Sequence, residues 1–166
     1  LTVVPANAST SLIGSYEPDM LFLSNGPGDP QQARNAIAVV KELAGTMPIV
    51  GICLGHQILS LALGAETYKL KFGHRGANQP VVDIDRDRTY VTSQNHGYAV
   101  VGDTLPAEVG HVSHKNANDG TCEGVRYKNA PAFTVQFHPE AHGGPLDTAY
   151  LFDEFISLIE KHKEDK

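Results

Sequence analysis

The sequence reads as an α/β fold: an open, mostly parallel sheet with helices on both faces, plus additional antiparallel strands. Two observations carry this. Up to Leu63, short apolar runs alternate with segments of helical periodicity, as strands do when crossover helices join them. After Gly64 the texture changes to short β-branched or alternating segments separated by Gly, Asn and Asp, which fit further strands around the end of the sheet. A chain of 166 residues can bury a real core, and residues 1–166 read as one domain.

The elements follow in order. Residues 1–4 are β-branched and read as a strand ended by Pro5. Ser9 or Thr10 could cap a short helix running to about Tyr16. Met20-Leu-Phe-Leu23 is a second strand, closed by Ser24-Asn-Gly-Pro-Gly-Asp-Pro30. From Gln31 to Ala44 the residues Ala36, Val39, Val40 and Leu43 recur on one helical face. Ile49, Val50 and Ile52 suit a buried strand, and Gln57 to Leu63 a helix that Gly64 ends. Strands are expected near 66–72, 80–84, 88–93, 109–114, 121–127 and 132–138. A last helix spans about Leu146 to His162. Leu151, Phe152, Phe155, Leu158 and Ile159 lie at helical spacing in it, and Lys161, His162 and Lys163 suit its C-terminal dipole. The tail to Lys166 should fray.

Composition narrows the function classes. The chain is 41% hydrophobic and 19% charged, with a net charge of −6, which disfavours nucleic acid as the main partner. No apolar run approaches the ~20 residues that span a bilayer, and no secretory signal is visible. Cys53 and Cys122 form neither a framework nor a C-x-x-C pair, which points to a reducing, cytoplasmic setting. The chain opens at Leu1, already in a strand and without methionine, so it reads as a piece of something longer.

The stretch Pro48 to Ala65 is the chemical centre of the sequence. Gly51-Ile-Cys53-Leu-Gly55 has the layout of a nucleophile elbow with cysteine in place of serine. Glycines permit the tight turn and leave the sulfur approachable. Free N–H groups at the start of the following helix favour a thiolate and could stabilise an oxyanion. A buried cysteine whose small neighbours merely allow close packing has the same pattern. Further along, Phe133-Thr-Val-Gln-Phe-His-Pro-Glu140 alternates like a strand. His138 and Glu140 can then share a face, as a base and its orienting carboxylate must. Functional groups in open α/β sheets collect at the carboxyl ends of strands. If the strands before Cys53 and His138 are parallel, the thiol, the imidazole and the carboxylate meet there, a set suited to acyl transfer through a thioester.

Other stretches are weaker. Ser24–Pro30 lacks G-K-[ST], so a loop presenting the Gly28 N–H is a better reading than a nucleotide loop. In Thr92-Ser-Gln-Asn-His-Gly-Tyr-Ala-Val100, the main chain at Asn95 and Gly97 could bind an amino acid, or the segment could be a hairpin turn. Lys69, Lys71, His74 and Arg75 form a basic stretch that fits a protein partner or a solvated edge equally. Cys53-x-x-His56 and His111-x-x-His114 have tolerable metal spacing but no clustered ligand set, so no metal is expected. Cys122 reads as structural or incidental.

Gly51-Ile-Cys-Leu-Gly-His-Gln57 together with His138-Pro-Glu140 resembles the class I (triad) glutamine amidotransferase domain, which is flavodoxin-like. More narrowly, the chain resembles the glutaminase domain of carbamoyl-phosphate synthetase small subunits. The narrower likeness rests on Leu23–Pro30, Tyr68-Lys-Leu-Lys-Phe-Gly-His-Arg-Gly-Ala-Asn-Gln-Pro80, Thr92–Tyr98, and Phe137–Glu140 followed by Gly144-Pro145. It implies that Cys53 attacks the glutamine amide, His138 is base and acid, and Glu140 orients it. Gly28 and Leu54 would supply the oxyanion N–H groups. Gly26, Gln57, Asn95, Gly97 and Tyr98 would line the glutamine site, with Tyr98 where phenylalanine is usual. Ammonia would pass to a large subunit that uses ATP and Mg2+, with no cofactor in this chain, to make carbamoyl phosphate for pyrimidines and arginine. Some members of the family lose the cysteine and their glutaminase activity; Cys53 is kept here.

The resemblance also implies an earlier strand and helix, and a whole N-terminal domain supplying one serine contact to glutamine, none of which is in these residues. The piece alone is therefore expected to be weakly stable and poorly active. Rivals are the amidotransferases for anthranilate, aminobenzoate or GMP synthesis, a γ-glutamyl hydrolase, and a non-catalytic module of the same fold. Phe72–Pro80 and Thr92–Tyr98 argue against the other amidotransferases.

Overall fold

The G-x-C-x-G segment lies where a buried parallel strand gives way to a helix, and the sheet is built outward from it. A computed structural model of the chain describes residues 1–141 and 147–164. Gly144, Pro145, the Leu146 start of the last helix and the Lys166 tail lie outside the described residues.

The helices are α1 (Thr10–Gly14), α2 (Arg34–Leu43), α3 (Leu54–Ala62) and α4 (Tyr150–Glu164). The strands are β1 (Leu21–Leu23), β2 (Ile49–Ile52), β3 (Glu66–Asp83), β4 (Arg88–Val101), β5 (Gly110–Asn116), β6 (Cys122–Tyr127) and β7 (Ala132–Val135). They form one seven-stranded sheet in the order β1-β2-β7-β6-β4-β3-β5. β1, β2 and β7 are parallel, and β3 to β6 pair antiparallel, as does β6 with β7. The α/β class and the additional antiparallel strands are as expected from the sequence, although the antiparallel part is the larger.

The alternation of β2 sorts its side chains. Ile49 packs among α2 and α3 residues such as Val40, Leu43 and Leu59, while Val50 and Ile52 pack with Phe133, Phe137, Leu151 and Phe155 on the α4 side. Both faces are therefore covered, and all four β2 residues are buried, which is why the strand reads as a continuous apolar run. Each fully buried aliphatic or aromatic side chain contributes roughly 1.5–3 kcal/mol.

Local chemistry explains most boundaries. Ser9 caps α1 by accepting from the Leu12 N–H at 3.2 Å. The expected helix over 31–44 divides into a 3₁₀ turn at Pro30–Gln32, capped by Asp29, and α2. Gly64, at φ +100°, follows the end of α3.

Three expectations need correction. Residues 1–4 form no strand; Leu1 and Val3 are exposed, and among the described residues no strand pairs with their backbone. The expected strands at 66–72 and 80–84 are one strand, β3, whose register with β4 slips between Lys69 and His74 and between Gly76 and Gln79. The Gly, Asn and Pro residues that suggested a break sit in or beside those bulges. Finally, β7 stops at Val135, and His138 is held instead by its N–H donating to the Ser93 carbonyl at 2.9 Å.

Candidate active site

The turn after β2 is backbone geometry that only glycine flanks allow. Cys53 has φ 55° and ψ −104° and immediately precedes α3. Non-glycine residues rarely hold such a conformation, and strain of this kind persists only where the surroundings over-determine it. A Cβ on Gly51 would lie 2.7 Å from the Gly55 carbonyl carbon, and one on Gly55 only 2.1 Å from the Leu23 carbonyl oxygen. The Cys53 N–H donates to the Val135 carbonyl at 2.9 Å, which ties the elbow to the end of β7.

That tie carries the second part of the site. Because β2 and β7 are parallel and adjacent, both deliver their following residues to one edge. The His138 ring lines the same cavity as the Cys53 sulfur, near enough for the two to interact, and is hydrogen-bonded through Nδ1 to Glu140 Oε1 at 2.7 Å. With Nδ1 engaged by the carboxylate, Nε2 is the nitrogen left for sulfur. The neighbouring Cys53, then the hydrogen bond to Glu140, raise the His138 pKa to about 10 against the opposing effect of burial. Burial works to raise Glu140, but its hydrogen bond to His138 holds it below the ordinary carboxylate value.

A cavity of about 360 Å³ opens beside this group, lined in part by Gly26, Gly28, Cys53, Gln57, Asn95, Gly97, Tyr98 and His138. Its volume lies within the range of about 300–1,000 Å³ typical of small-molecule sites. The expected lining residues are thus brought together from the β1 loop, α3 and β4. Gln57 is fixed by donating its amide to the Tyr98 carbonyl at 2.8 Å and to Gln136 Oε1 at 2.7 Å. Leu54 does not line the cavity. It is the first residue of α3, where backbone N–H groups have no helical partner, and its side chain occupies the space a Gly26 Cβ would need, 2.8 Å away. Gly28 has φ +100°.

Asn25, Pro27, Arg75 and His96 also line the cavity and were not assigned to it from the sequence. Arg75 belongs to the basic stretch, and its guanidinium donates to the Phe72 carbonyl. Gly73 and Gly76, both at positive φ, were the available signal: glycines inside a strand mark a bulge that can re-aim a neighbour. The Asn95–Tyr98 segment is part of β4 and not a hairpin turn. His56 and His111, the spacing-based metal candidates, are engaged elsewhere: His56 Nδ1 with Thr134 Oγ1 at 2.8 Å and His111 with Asp85 at 3.0 Å. His114 is buried at 3.5 Å from Asp83. Burial pushes the Cys122 thiol up to about 12, so it stays protonated.

Comparison with known proteins follows the same line. The family model "Glutamine amidotransferase class-I" matches residues 1–158. The chain is 59% identical over 152 residues to a carbamoyl phosphate synthase small chain of Methanosarcina mazei, covering 92% of this chain and 41% of that protein. It is 55% identical over 162 residues to the one of Methanopyrus kandleri, covering 98% and 45%. The chain therefore spans less than half the length of these curated relatives. Among solved structures, a protein described as a GMP synthase component from Thermoplasma acidophilum superposes with a TM-score of 0.82 at 23% identity, over 98% of this chain and 82% of that one. A glutamine amidotransferase from Thermotoga maritima superposes at 0.62 and 21% identity, over 89% and 66%. At these identities the two structures share the fold.

Proposed function

The chain belongs to the class-I glutamine amidotransferase family, and from that premise we propose that it is the glutaminase part of a carbamoyl-phosphate synthetase small subunit. The observation that carries the reading is the convergence of the Cys53 sulfur and the His138 ring on one small-molecule cavity, with the ring hydrogen-bonded to the Glu140 carboxylate. The relatives named carbamoyl phosphate synthase small chain, at 55–59% identity, support the narrower assignment.

The chemistry follows from the geometry. The Cys53 sulfur attacks the γ-carboxamide carbon of glutamine, forming the C–S bond. The carbonyl oxygen takes the negative charge and is met by the N–H groups of Gly28 and Leu54. His138 holds a proton beside the sulfur and gives it to the departing nitrogen as the C–N bond breaks, releasing ammonia. Water then attacks the thioester while His138 takes its proton; glutamate leaves and the sulfur is restored. Glu140 keeps the ring oriented throughout. Gly26, Gln57, Asn95, Gly97 and Tyr98 hold the substrate, and the Arg75 guanidinium pairs with its carboxylate. The ammonia passes to a large subunit that consumes ATP with Mg2+ and makes carbamoyl phosphate, in the cytoplasm, toward pyrimidines and arginine.

The test is glutamine hydrolysis by the full small subunit, with and without its large subunit, beside a Cys53→Ser control. The expected outcome is measurable ammonia release, raised by the partner and lost in the control. Release that survives Cys53→Ser would reject the mechanism, and a rate indifferent to the large subunit would favour a free-standing hydrolase.

A further inference from the structure

At the edge of the cavity, which His96 itself helps to line, three residues from different strands converge. His74 on β3 and His96 on β4 are cross-strand partners, held where the β3 register breaks on either side. Glu123 comes from β6 and is fully buried. One ligand atom from each lies within 4.8 Å of the others. We infer that His74, His96 and Glu123 bind a divalent transition-metal ion of the zinc type.

The spacing suits such an ion. Tetrahedral zinc with ligands at ~2.0–2.2 Å sets its ligand atoms roughly 3.3–3.6 Å apart. His74 Nδ1 is 3.1 Å from Glu123 Oε1, and His96 Nε2 is 4.0 Å from it, so the two distances bracket that value. Gln94 Oε1 lies 3.1 Å from His74 Nδ1 and 2.9 Å from His96 Nε2, where a fourth ligand would sit.

Donor accounting points the same way. His74 Nε2 lies 2.8 Å from Asp119 Oδ2, and His96 Nδ1 lies 2.7 Å from the Tyr98 carbonyl. Both of those oxygens accept, so each neutral ring spends its one N–H outside the cluster. What faces inward is then two ring lone pairs, the Gln94 carbonyl and the Glu123 carboxylate, whose Oε1 accepts only a long bond of 3.5 Å from the Asn116 amide and is also reached by the Gln94 side chain. The Gln94 amide is oriented by donating to Thr92 Oγ1 at 3.2 Å. Glu123 Oε2 is buried with no hydrogen-bond partner. Acceptors facing acceptors in a buried site are costly. A proton on His74 would satisfy Glu123 but still leave His96 Nε2 against the Gln94 oxygen. A cation satisfies all of them.

The outer contacts are those that orient metal-bound imidazoles, one to a carboxylate and one to a backbone carbonyl. Two imidazoles and one carboxylate select zinc or cobalt over magnesium or calcium. The ligands are far apart in sequence, which is why spacing alone gave no metal. The inference stands on this geometry and is independent of the glutaminase reading.

The test uses the full small subunit, stripped with a chelator and titrated with Co2+. The expected result is one equivalent bound with the visible bands of four- or five-coordinate cobalt, without sulfur-to-cobalt charge transfer, and unchanged in Cys53→Ser. Glu123→Gln should weaken binding more than about 100-fold. Asp119→Asn, which leaves all three ligands in place and alters a half-exposed residue, should weaken it about 10–100-fold. No uptake by the stripped protein would overturn the inference. So would charge-transfer bands that vanish with Cys53→Ser, or binding indifferent to both Glu123→Gln and Asp119→Asn.

Discussion

At the scale of single residues, the site depends on a proton kept on His138. Its pKa is raised to about 10, first by Cys53 and then by Glu140. The imidazolium is therefore present through neutral pH and lost as pH rises through that value. The kcat/KM profile for glutamine should fall on this alkaline limb, and Glu140→Gln should move the limb to lower pH; an unmoved limb would mean that Glu140 does not act through the ring. Arg75→Met should raise KM for glutamine several-fold while kcat changes little, since the guanidinium lines the cavity and its proposed role is to pair with the substrate carboxylate. Equal loss in kcat would place Arg75 nearer the chemistry than proposed. Cys53, His138 and Glu140 were legible in the sequence because each sits in a short motif with a geometric reason behind it. Arg75 and His96 were not, because their place depends on the β3 bulges and on cross-strand partners twenty or so residues away.

At the scale of elements, the elbow is the part least able to change. Gly55→Ala would press a methyl group into the Leu23 carbonyl, and overpacking of backbone costs about 1–3 kcal/mol or more. The variant should unfold at lower urea than the parent and, because β1 and α3 must part, should also lose Cys53 reactivity. A variant with unchanged midpoint and reactivity would contradict the contact. The β2–α3 unit was visible in the sequence because burial, turn residues and helix stop all agreed. The β3–β4 pair was harder. Glycine and proline inside a bulged strand look the same, residue by residue, as the turn that would end it. The expected strand at residues 1–4 failed for a different reason: β propensity describes fit to a neighbouring strand, and none among the described residues pairs with it.

For the whole molecule, His56 and His114 are fully buried in the folded chain. Burial lowers His56 to about 3 and His114 to about 4. His96 and His114 reinforce the effect on His56. On His114, Asp83, Asp85 and Glu154 oppose it and Arg126 adds to it. The unfolded chain protonates these rings near their ordinary value of 6.5, so their contribution is complete above that pH and is lost as pH falls toward 4. The slope approaches about 1.4 kcal/mol per pH unit for each ring. The urea midpoint should therefore fall between pH 7 and pH 5, and a flat midpoint would show that the rings titrate normally. The central claim is that this fold brings one sulfur and one imidazole, 85 positions apart in the sequence, into a reactive pair. It is tested most directly by labelling the protein with an electrophilic glutamine analogue and mapping the adduct by mass spectrometry. The account predicts a single adduct on Cys53, none on Cys122, blocked by glutamine and largely lost in His138→Asn. Labelling of Cys122, or equal labelling of Cys53 in His138→Asn, would contradict it.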